Sequence, residues 1–378
     1  MLPELDLFEA RVFICIKFFM AFLDWLKNLF FGASEPFSDA DTFFVWEPCS
    51  KSHSEVVPGY AKYLLDLGYK VSVIVNPERL KDGVFCRFSH KNLILNKISR
   101  SKASKFFLKK GLADAKGILV STVGKLSNGR DYSGAHAFFA KKLPSQKTLF
   151  VEHEIKQTVD NGTWDENIIT LRKPDYKGAK SVVVNPHYFG DVRITKKSED
   201  VVRFIVVGAL QDKRRDCSII LSAFEKLIER GTTNVKLIAV GKGAVSLPEK
   251  IKPYVELKGS LPFKEMYDEV EKADFFLTSY EPDFAPHLRY ITTGTSGAFQ
   301  LVYGFLKPVV IHEKFSGING FDDKNSVIYS DSSGYADALE RCVKMTACEY
   351  AQMQANLKVL ADEIYAQSLR SLKELIEK

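Results

Sequence analysis

The chain has 378 residues, a formal net charge of +6, and 46% hydrophobic and 26% charged residues. This length predicts two domains with a full core each, and the composition is that of an ordinary globular protein. The six cysteines are scattered, without a C-x-x-C pair or metal-ligand spacing. That excludes a disulfide framework and indicates reduced intracellular thiols.

The first predicted element is an amphipathic helix in residues 1–33. Between residues 5 and 31 apolar side chains predominate, and the polar ones form a narrow stripe at about 100° per residue: Asp6, Glu9, Lys17, Asp24, Lys27 and Asn28. Charges recur too often for a spanning helix, and the start lacks the basic residues of a signal peptide. Two interpretations remain: a helix in the plane of a membrane, or one buried against the protein or a partner chain, which would allow oligomers.

Residues 38–190 are predicted to form an α/β domain. Short β-branched or aromatic runs alternate with helix-length segments, as parallel βαβ units require. We expect strands at residues 42–46, 70–75, 118–122, 148–153 and 181–185, and a helix at residues 55–67. The first strand–helix turn, residues 47–54, contains no glycine, which disfavours a dinucleotide-dependent hydride-transfer enzyme.

A basic segment lies within this domain. Residues 87–110 contain eight Lys or Arg residues and no acidic residue. Three interpretations fit this pattern: attraction to an anionic membrane surface, a solvated basic face, or nucleic acid, for which no reading motif is present. With the N-terminal helix, the segment favours a cytoplasmic protein held peripherally at the inner face of the cell membrane, with no nucleic-acid partner.

A polar segment, residues 186–201, is predicted to link the first domain to a second one at residues 200–347. Strands are expected at residues 203–208, 235–240, 255–259, 274–279 and 307–311, and helices at 219–230, 263–273 and 298–306. Residues 348–378 have the apolar period of a final helix. Glycine, basic, acidic and hydroxyl side chains follow the strands, where open parallel sheets bind ligands.

These motifs resemble those of glycosyltransferases of the GT-B fold, in particular the family 4 bacterial sugar transferases. The resemblance covers roughly residues 40–345 and is carried by Val207-Gly208-Ala209-Leu210, Lys213-Arg214-Arg215, Thr278-Ser279-Tyr280-Glu281, Thr295-Ser296-Gly297 and Lys307-Pro308-Val309-Val310-Ile311. It implies an α/β protein with two facing Rossmann-like domains and parallel sheets. The second domain would bind the donor nucleotide, the first would bind most of the acceptor, and the final helix would pack back toward the first.

The leaving nucleoside diphosphate is an anion, so the donor site needs positive charge and backbone N–H groups. The candidate donor-binding residues are Gly208, Lys213, Arg214, Arg215, Gly241, Gly259, Glu281, Arg289, Thr295, Ser296 and Gly297. His153 and Glu281 are the catalytic candidates, and His53 and Glu55 are the candidates for acceptor binding. No cofactor or metal is expected besides the substrate, a UDP- or GDP-sugar, since the Asp39-Ala40-Asp41 triplet precedes the first strand.

Two positions depart from the family pattern. Many relatives have a second glutamate eight residues after the first, where it holds the ribose, but here Arg289 stands eight residues after Glu281. The family's arginine after the first glycine is replaced by Ala209. Whether transfer retains or inverts the anomeric configuration is therefore left open.

The predicted function is transfer of a sugar from a nucleotide sugar to a glycan or lipid-linked acceptor, in bacterial cell-surface polysaccharide synthesis, by a metal-independent enzyme. Two alternatives remain: an epimerase or phosphorylase of the same fold, and a non-catalytic assembly partner, because a fold does not fix a function.

Overall fold

The computed structural model describes residues 36–48, 53–99, 102–103, 105–107, 112, 114–123, 147–162, 164, 166–212 and 215–378. The predicted helix at residues 1–33 and parts of the basic segment 87–110 lie outside these ranges. No helix within the described ranges is long and apolar enough to cross a membrane. All elements named below belong to one unit, Ser38–Lys378.

In the described part of the chain, parallel strands form a first sheet in the order β3-β2-β1-β4-β5-β6-β7. They are β1 Thr42–Trp46, β2 Lys70–Ile74, β3 Leu93–Asn96, β4 Gly117–Val123, β5 Lys147–Glu152, β6 Ile168–Thr170 and β7 Val182–Val183. The helices are α1 Val57–Asp66, preceded by the 3₁₀ turn Ser54–Val56, α2 Pro77–Lys81 and α3 Lys156–Asp160. The central strands are apolar because both faces of the sheet are covered there, and every residue of β1 is buried.

The second sheet is also parallel and has the order β12-β11-β8-β13-β14-β15. Its strands are β8 Val202–Val207, β11 Val235–Val240, β12 Val255–Gly259, β13 Phe275–Leu277, β14 Val309–His312 and β15 Val327–Tyr329. An antiparallel pair, β9 Gln211–Asp212 and β10 Arg215–Asp216, follows β8. The helices are α4 Ser218–Glu229, α5 Phe263–Lys272, α6 Gly297–Phe305, α7 Glu313–Ser316, α8 Tyr335–Lys344 and α9 Ala347–Glu377, with 3₁₀ turns at Glu249–Tyr254, Ala285–Tyr290 and Gly317–Asn319.

Both sheets reverse their strand order next to their first strand. The reversal lies between β1 and β4 in the first sheet and between β8 and β13 in the second. Doubly wound sheets bind ligands outside the carboxyl ends of the strands at such points. The prediction of two Rossmann-like domains with parallel sheets is confirmed.

Residues 184–201 contain no helix or strand and connect the two sheets. Glycine is required where helices approach this connection. A Cβ on Gly59 of α1 would lie 2.4 Å from the Pro186 carbonyl oxygen, and one on Gly304 of α6 would lie 2.5 Å from that of His187. The absence of a side chain at both positions lets the connection pack directly against the two helices.

The long helix α9 contributes to the cores of both sheets. Thr346 caps its start by accepting a hydrogen bond from the Glu349 N–H, and the Glu349 carboxylate bonds back to the Thr346 backbone. Tyr350 packs in a cluster around the second sheet, whereas Leu372 and Leu375 pack in the core of the first sheet. The final helix therefore extends from the second core to the first.

Candidate active site

A cavity of about 400 Å³ lies at the carboxyl ends of strands from both sheets. Its lining consists of His53, Glu55, His153, Val207, Gly208, Ala209, Phe263, Met266, Arg289, Tyr290, Thr295, Gly297, Ala298 and Leu301. The first sheet contributes the turn after β1 and the residue after β5. The second contributes the end of β8 and the start of α6. The cavity thus lies at the two points of strand reversal, and it brings together predicted residues from both halves of the chain.

His153 directly follows β5 and lies in the wall of the cavity. Its Nε2 is 3.0 Å from the Ser121 carbonyl oxygen and 3.4 Å from Thr122 Oγ1, and its ring centroid is 4.3 Å from that of His53. Burial, and after it the neighbouring His53, lower the pKa of His153 far below the ordinary histidine value. The ring is therefore neutral at physiological pH. We assign the Nε2 proton to the bond with the Ser121 carbonyl, which makes Nδ1 the acceptor nitrogen.

The turn that carries His53 and Glu55 has an unusual backbone. His53 adopts a left-handed φ of 68°, and such strain in a non-glycine residue clusters at functional sites. Glu55 reaches the second sheet: a Cβ on Gly297, the first residue of α6, would lie 3.1 Å from Glu55 Oε1. The carboxylate therefore lies at the positive end of the α6 dipole, where we predicted the donor phosphate.

Ser296 is the N-cap of α6. Its Oγ accepts a hydrogen bond from the Ala298 N–H at 3.2 Å and another from the Tyr280 hydroxyl. The side chain is buried and stabilises the helix start, whereas the flanking residues Thr295 and Gly297 line the cavity. Ser296 thus fixes the start of the helix at which the phosphate site is predicted.

Three glycines predicted for the donor site stand at strand ends of the second sheet. Gly208 lines the cavity, but Gly241 and Gly259 do not. Gly241 has a φ of 152°, and a Cβ there would lie 1.5 Å from the Gly208 carbonyl oxygen. Its N–H donates to the Gly259 carbonyl at 2.8 Å. Gly241 and Gly259 therefore support the backbone at Gly208.

The predicted basic cluster follows this strand end. Lys213 and Arg214 lie outside the described residues, and the backbone of Arg215 belongs to β10, where it pairs with Asp212 of β9. The Cys217 N–H donates to the Leu210 carbonyl at 3.1 Å, so the chain closes back directly after the cavity residues. Contact between these basic side chains and a donor stays a prediction.

Glu281 follows β13 but does not contribute to the lining of the cavity. Its carboxylate accepts hydrogen bonds from the Tyr329 hydroxyl at 3.0 Å and from Ser332 Oγ at 2.5 Å. Its N–H donates to His287 Nδ1 at 2.9 Å. The chain after β13 therefore directs this side chain toward the end of β15, and the carboxylate joins two loops of the second sheet.

Arg289 lies at the boundary between two cavities. It lines the one described above and a second one of about 570 Å³, whose walls include Glu154 and Asn161. Its Nε lies 3.0 Å from Glu154 Oε2. The guanidinium adds positive charge to the edge of the first cavity, where it is paired with Glu154.

The apolar residues that line the cavity were not predicted from the sequence. Phe263 and Met266 of α5 and Leu301 of α6 line it together with the polar residues of the first sheet. Their helical spacing is that of ordinary core residues, so no local signal separates a cavity wall from a core.

Among the described residues, no group of three His, Cys, Asp or Glu side chains is arranged to hold a metal ion. The Asp-x-Asp triplet is engaged before β1. Asp39 pairs with Lys70 at 2.5 Å and accepts a hydrogen bond from Thr42 Oγ1 at 2.7 Å.

Solved structures similar to this chain are glycosyltransferases. AviGT4, a glycosyltransferase involved in avilamycin A biosynthesis, is 14% identical, with a TM-score of 0.50 over 88% of this chain and 97% of AviGT4. T4 phage BGT, solved in complex with its UDP-glucose substrate, is 12% identical, with a TM-score of 0.50 over 89% of this chain and all of BGT. No protein-family model and no curated protein sequence matches the chain. At these identities the similarity establishes the fold, which is GT-B.

Proposed function

We propose that this protein is a glycosyltransferase that moves a sugar from a nucleoside-diphosphate sugar to a hydroxyl group of a glycan or glycolipid. The observation that carries the proposal is the shared cavity. It combines histidines from the first sheet with a strand-end glycine and a helix N-terminus from the second. Donor and acceptor would thus meet between the two sheets.

The proposed donor is UDP- or GDP-linked. BGT, one of the similar structures, was solved with UDP-glucose. Departure of the diphosphate creates negative charge, which backbone N–H groups and cations stabilise. In this chain Gly297 at the start of α6, Gly208 and Arg289 all line the cavity in which that group would lie. Arg214 and Arg215 are proposed to complete it.

Glu55 would move when the donor binds. Its carboxylate lies beside Gly297, and a diphosphate at the same place would repel it. We infer that Glu55 then bonds hydroxyl groups of the acceptor, together with His53. Neutral His153 would accept a hydrogen bond from a sugar hydroxyl through Nδ1 and thereby orient the sugar.

Finer features of the proposal rest on the sequence. The resemblance to family 4 transferases supports a bacterial enzyme of cell-surface polysaccharide synthesis that needs no metal ion. The apolar segment 5–31 and the basic segment 87–110 support peripheral attachment to the inner face of the cell membrane.

The test begins with nucleotide binding. Isothermal titration of the full chain with UDP and with GDP should give binding to one of them. The matching sugar nucleotide should then release its diphosphate faster when glycan acceptors are added. His153→Ala should lower this release, whereas the control His90→Ala, which changes an exposed histidine outside the cavity, should not.

Other outcomes would contradict the proposal in distinct ways. Absence of binding to both nucleotides would remove the donor site. An epimerised donor without diphosphate release would favour the epimerase. Tight binding without turnover on any acceptor would favour a non-catalytic partner.

A further inference from the structure

The segment 290–295, here called the strap, crosses from the second sheet to the first. It begins at Tyr290, the last residue of the 3₁₀ turn Ala285–Tyr290, and ends directly before Ser296, the N-cap of α6. Backbone hydrogen bonds join it to the loops after β5 and β6: Ile155 N to Thr293 O at 3.0 Å, Asp175 N to Thr292 O at 2.9 Å, and Thr295 N to His153 O at 3.3 Å. The strap therefore connects the N-terminus of α6 to the loop that carries His153.

Arg172 lies under the strap, two residues after β6. Its Nη2 donates to the Tyr290 carbonyl at 2.9 Å and to the Gly294 carbonyl at 2.8 Å. Its Nε donates to the same Gly294 oxygen at 3.0 Å, and its Nη1 donates to the Lys173 carbonyl at 2.8 Å. The planar guanidinium thus holds carbonyl groups near both ends of the strap.

The Tyr290 and Gly294 carbonyl groups, which accept hydrogen bonds from Arg172, lie next to the cavity. Tyr290 lines the cavity itself, and Gly294 immediately precedes Thr295, which also lines it. Because Thr295 is bonded to the His153 carbonyl, a shift at Gly294 would move both the entry to α6 and the backbone of His153. The hydrogen bonds of Arg172, here called the clamp, therefore act on two groups that belong to different sheets.

Burial makes this clamp costly. Withdrawal of the guanidinium from water lowers the pKa of Arg172, although Glu154 and Asp175 offset part of the effect. A neutral side chain would avoid that cost, but only the arginine fork reaches several carbonyl oxygens in one plane.

We propose that Arg172 is a positioning residue of the active site, which holds the strap so that His153 and the N-terminus of α6 face one cavity. The consequence for donor binding rests on the proposed function, whereas the clamp itself does not.

Amide hydrogen exchange of the full chain tests the clamp without any ligand. In Arg172→Ala the N–H groups of Ile155 and Thr295 should exchange at least about tenfold faster, because local opening exposes them. The control Lys173→Ala removes an adjacent, exposed cation and should leave both rates unchanged. Arg172→Lys, which keeps the charge and is a milder change, should also speed exchange. Unchanged exchange at both amides in both Arg172 variants would overturn the proposal.

Nucleotide binding supplies the second readout. With UDP or GDP as the probe, Arg172→Ala and Arg172→Lys should raise Kd about tenfold, the scale of a lost charged hydrogen bond, and lower turnover further. Full affinity in Arg172→Lys would overturn the positioning role, since one ammonium group cannot replace the fork. If the wild type binds neither nucleotide, the proposed function fails and the exchange rates alone decide on Arg172.

Discussion

The imidazole rings of His53 and His153 lie with their centroids 4.3 Å apart, although they follow different strands of the first sheet. Two protonated rings at this distance would repel each other, so at most one carries a charge. Burial makes His153 the one that stays neutral. The cavity thus contains two imidazole rings side by side, and the ring of His153 is hydrogen-bonded to the Ser121 carbonyl.

We expect the protein to lose stability as the pH falls below about 6.5, the ordinary pKa of histidine. The unfolded chain binds a proton there that folded His153 does not, so the free energy of unfolding decreases with decreasing pH. Buried His187, with its pKa lowered to about 4, acts in the same direction. Between about pH 7.5 and about pH 5.5, the melting temperature should fall less for His153→Gln than for wild type. Equal losses would contradict a neutral His153.

Glu55→Gln should bind UDP or GDP more tightly. The substitution removes a negative charge from the N-terminus of α6, and such charge–dipole interactions correspond to about two- to fivefold in affinity. Transfer to an acceptor should become slower because the acceptor contact weakens. Titration calorimetry measures the first effect, with Glu78→Gln, an exposed carboxylate, as control. Weaker nucleotide binding would identify Glu55 as a donor ligand instead.

Two glycines of α6 should respond differently to alanine. Gly297→Ala places its Cβ 3.1 Å from Glu55 Oε1, the end of a flexible side chain, so the fold should persist while nucleotide affinity falls. Gly304→Ala places its Cβ 2.5 Å from the His187 carbonyl oxygen and should cost about 1–3 kcal/mol of stability. Urea unfolding and UDP titration separate the two effects. A destabilised Gly297→Ala with unchanged affinity would contradict the phosphate site.

Glu281→Ala should destabilise the second domain without affecting nucleotide binding. The hydroxyl of buried Tyr329 would lose its acceptor, which costs about 1–3 kcal/mol, whereas exposed Ser332 can bond to water instead. Chemical denaturation measures the loss, and titration with UDP at low temperature checks the site. A fall in affinity at unchanged stability would support the predicted contact between Glu281 and the donor sugar.

The full chain should sediment with vesicles that contain anionic lipid. The apolar side chains of residues 5–31 and the basic segment 87–110 provide the two signals that peripheral attachment generally needs. Deletion of residues 1–31 should release the protein, whereas high salt should only weaken binding, because screening acts on the basic segment. Failure to sediment with either neutral or anionic vesicles would exclude attachment. A changed oligomeric state of the deletion variant would then favour burial in a protein interface.

The sequence predicts which residues lie at the carboxyl edges of the two sheets. It predicts less well the directions in which their side chains point. His53, His153, Gly208 and Gly297 come together because all follow or precede elements at the carboxyl edges of parallel sheets, which strand patterns reveal. Glu281 stands at such an edge too, but its direction depends on Tyr329 of β15, which no local pattern indicates.

The contacts of Arg172 could not be predicted from the sequence for another reason. Its partners are backbone carbonyls, and Gly294 lies 122 positions further along the chain. Every residue has a carbonyl group, so no spacing of side chains in the sequence predicts such a contact. Only the folding of one sheet against the other creates it.

Helix α9 is synthesised after both sheets, yet Leu372 and Leu375 belong to the core of the first. The half of the chain that leaves the ribosome first therefore cannot complete its core from its own residues. Until α9 packs against the first sheet, the apolar surface that Leu372 and Leu375 will cover is exposed to water and to other nascent chains. The two halves consequently reach their final packing together, although they are made one after the other.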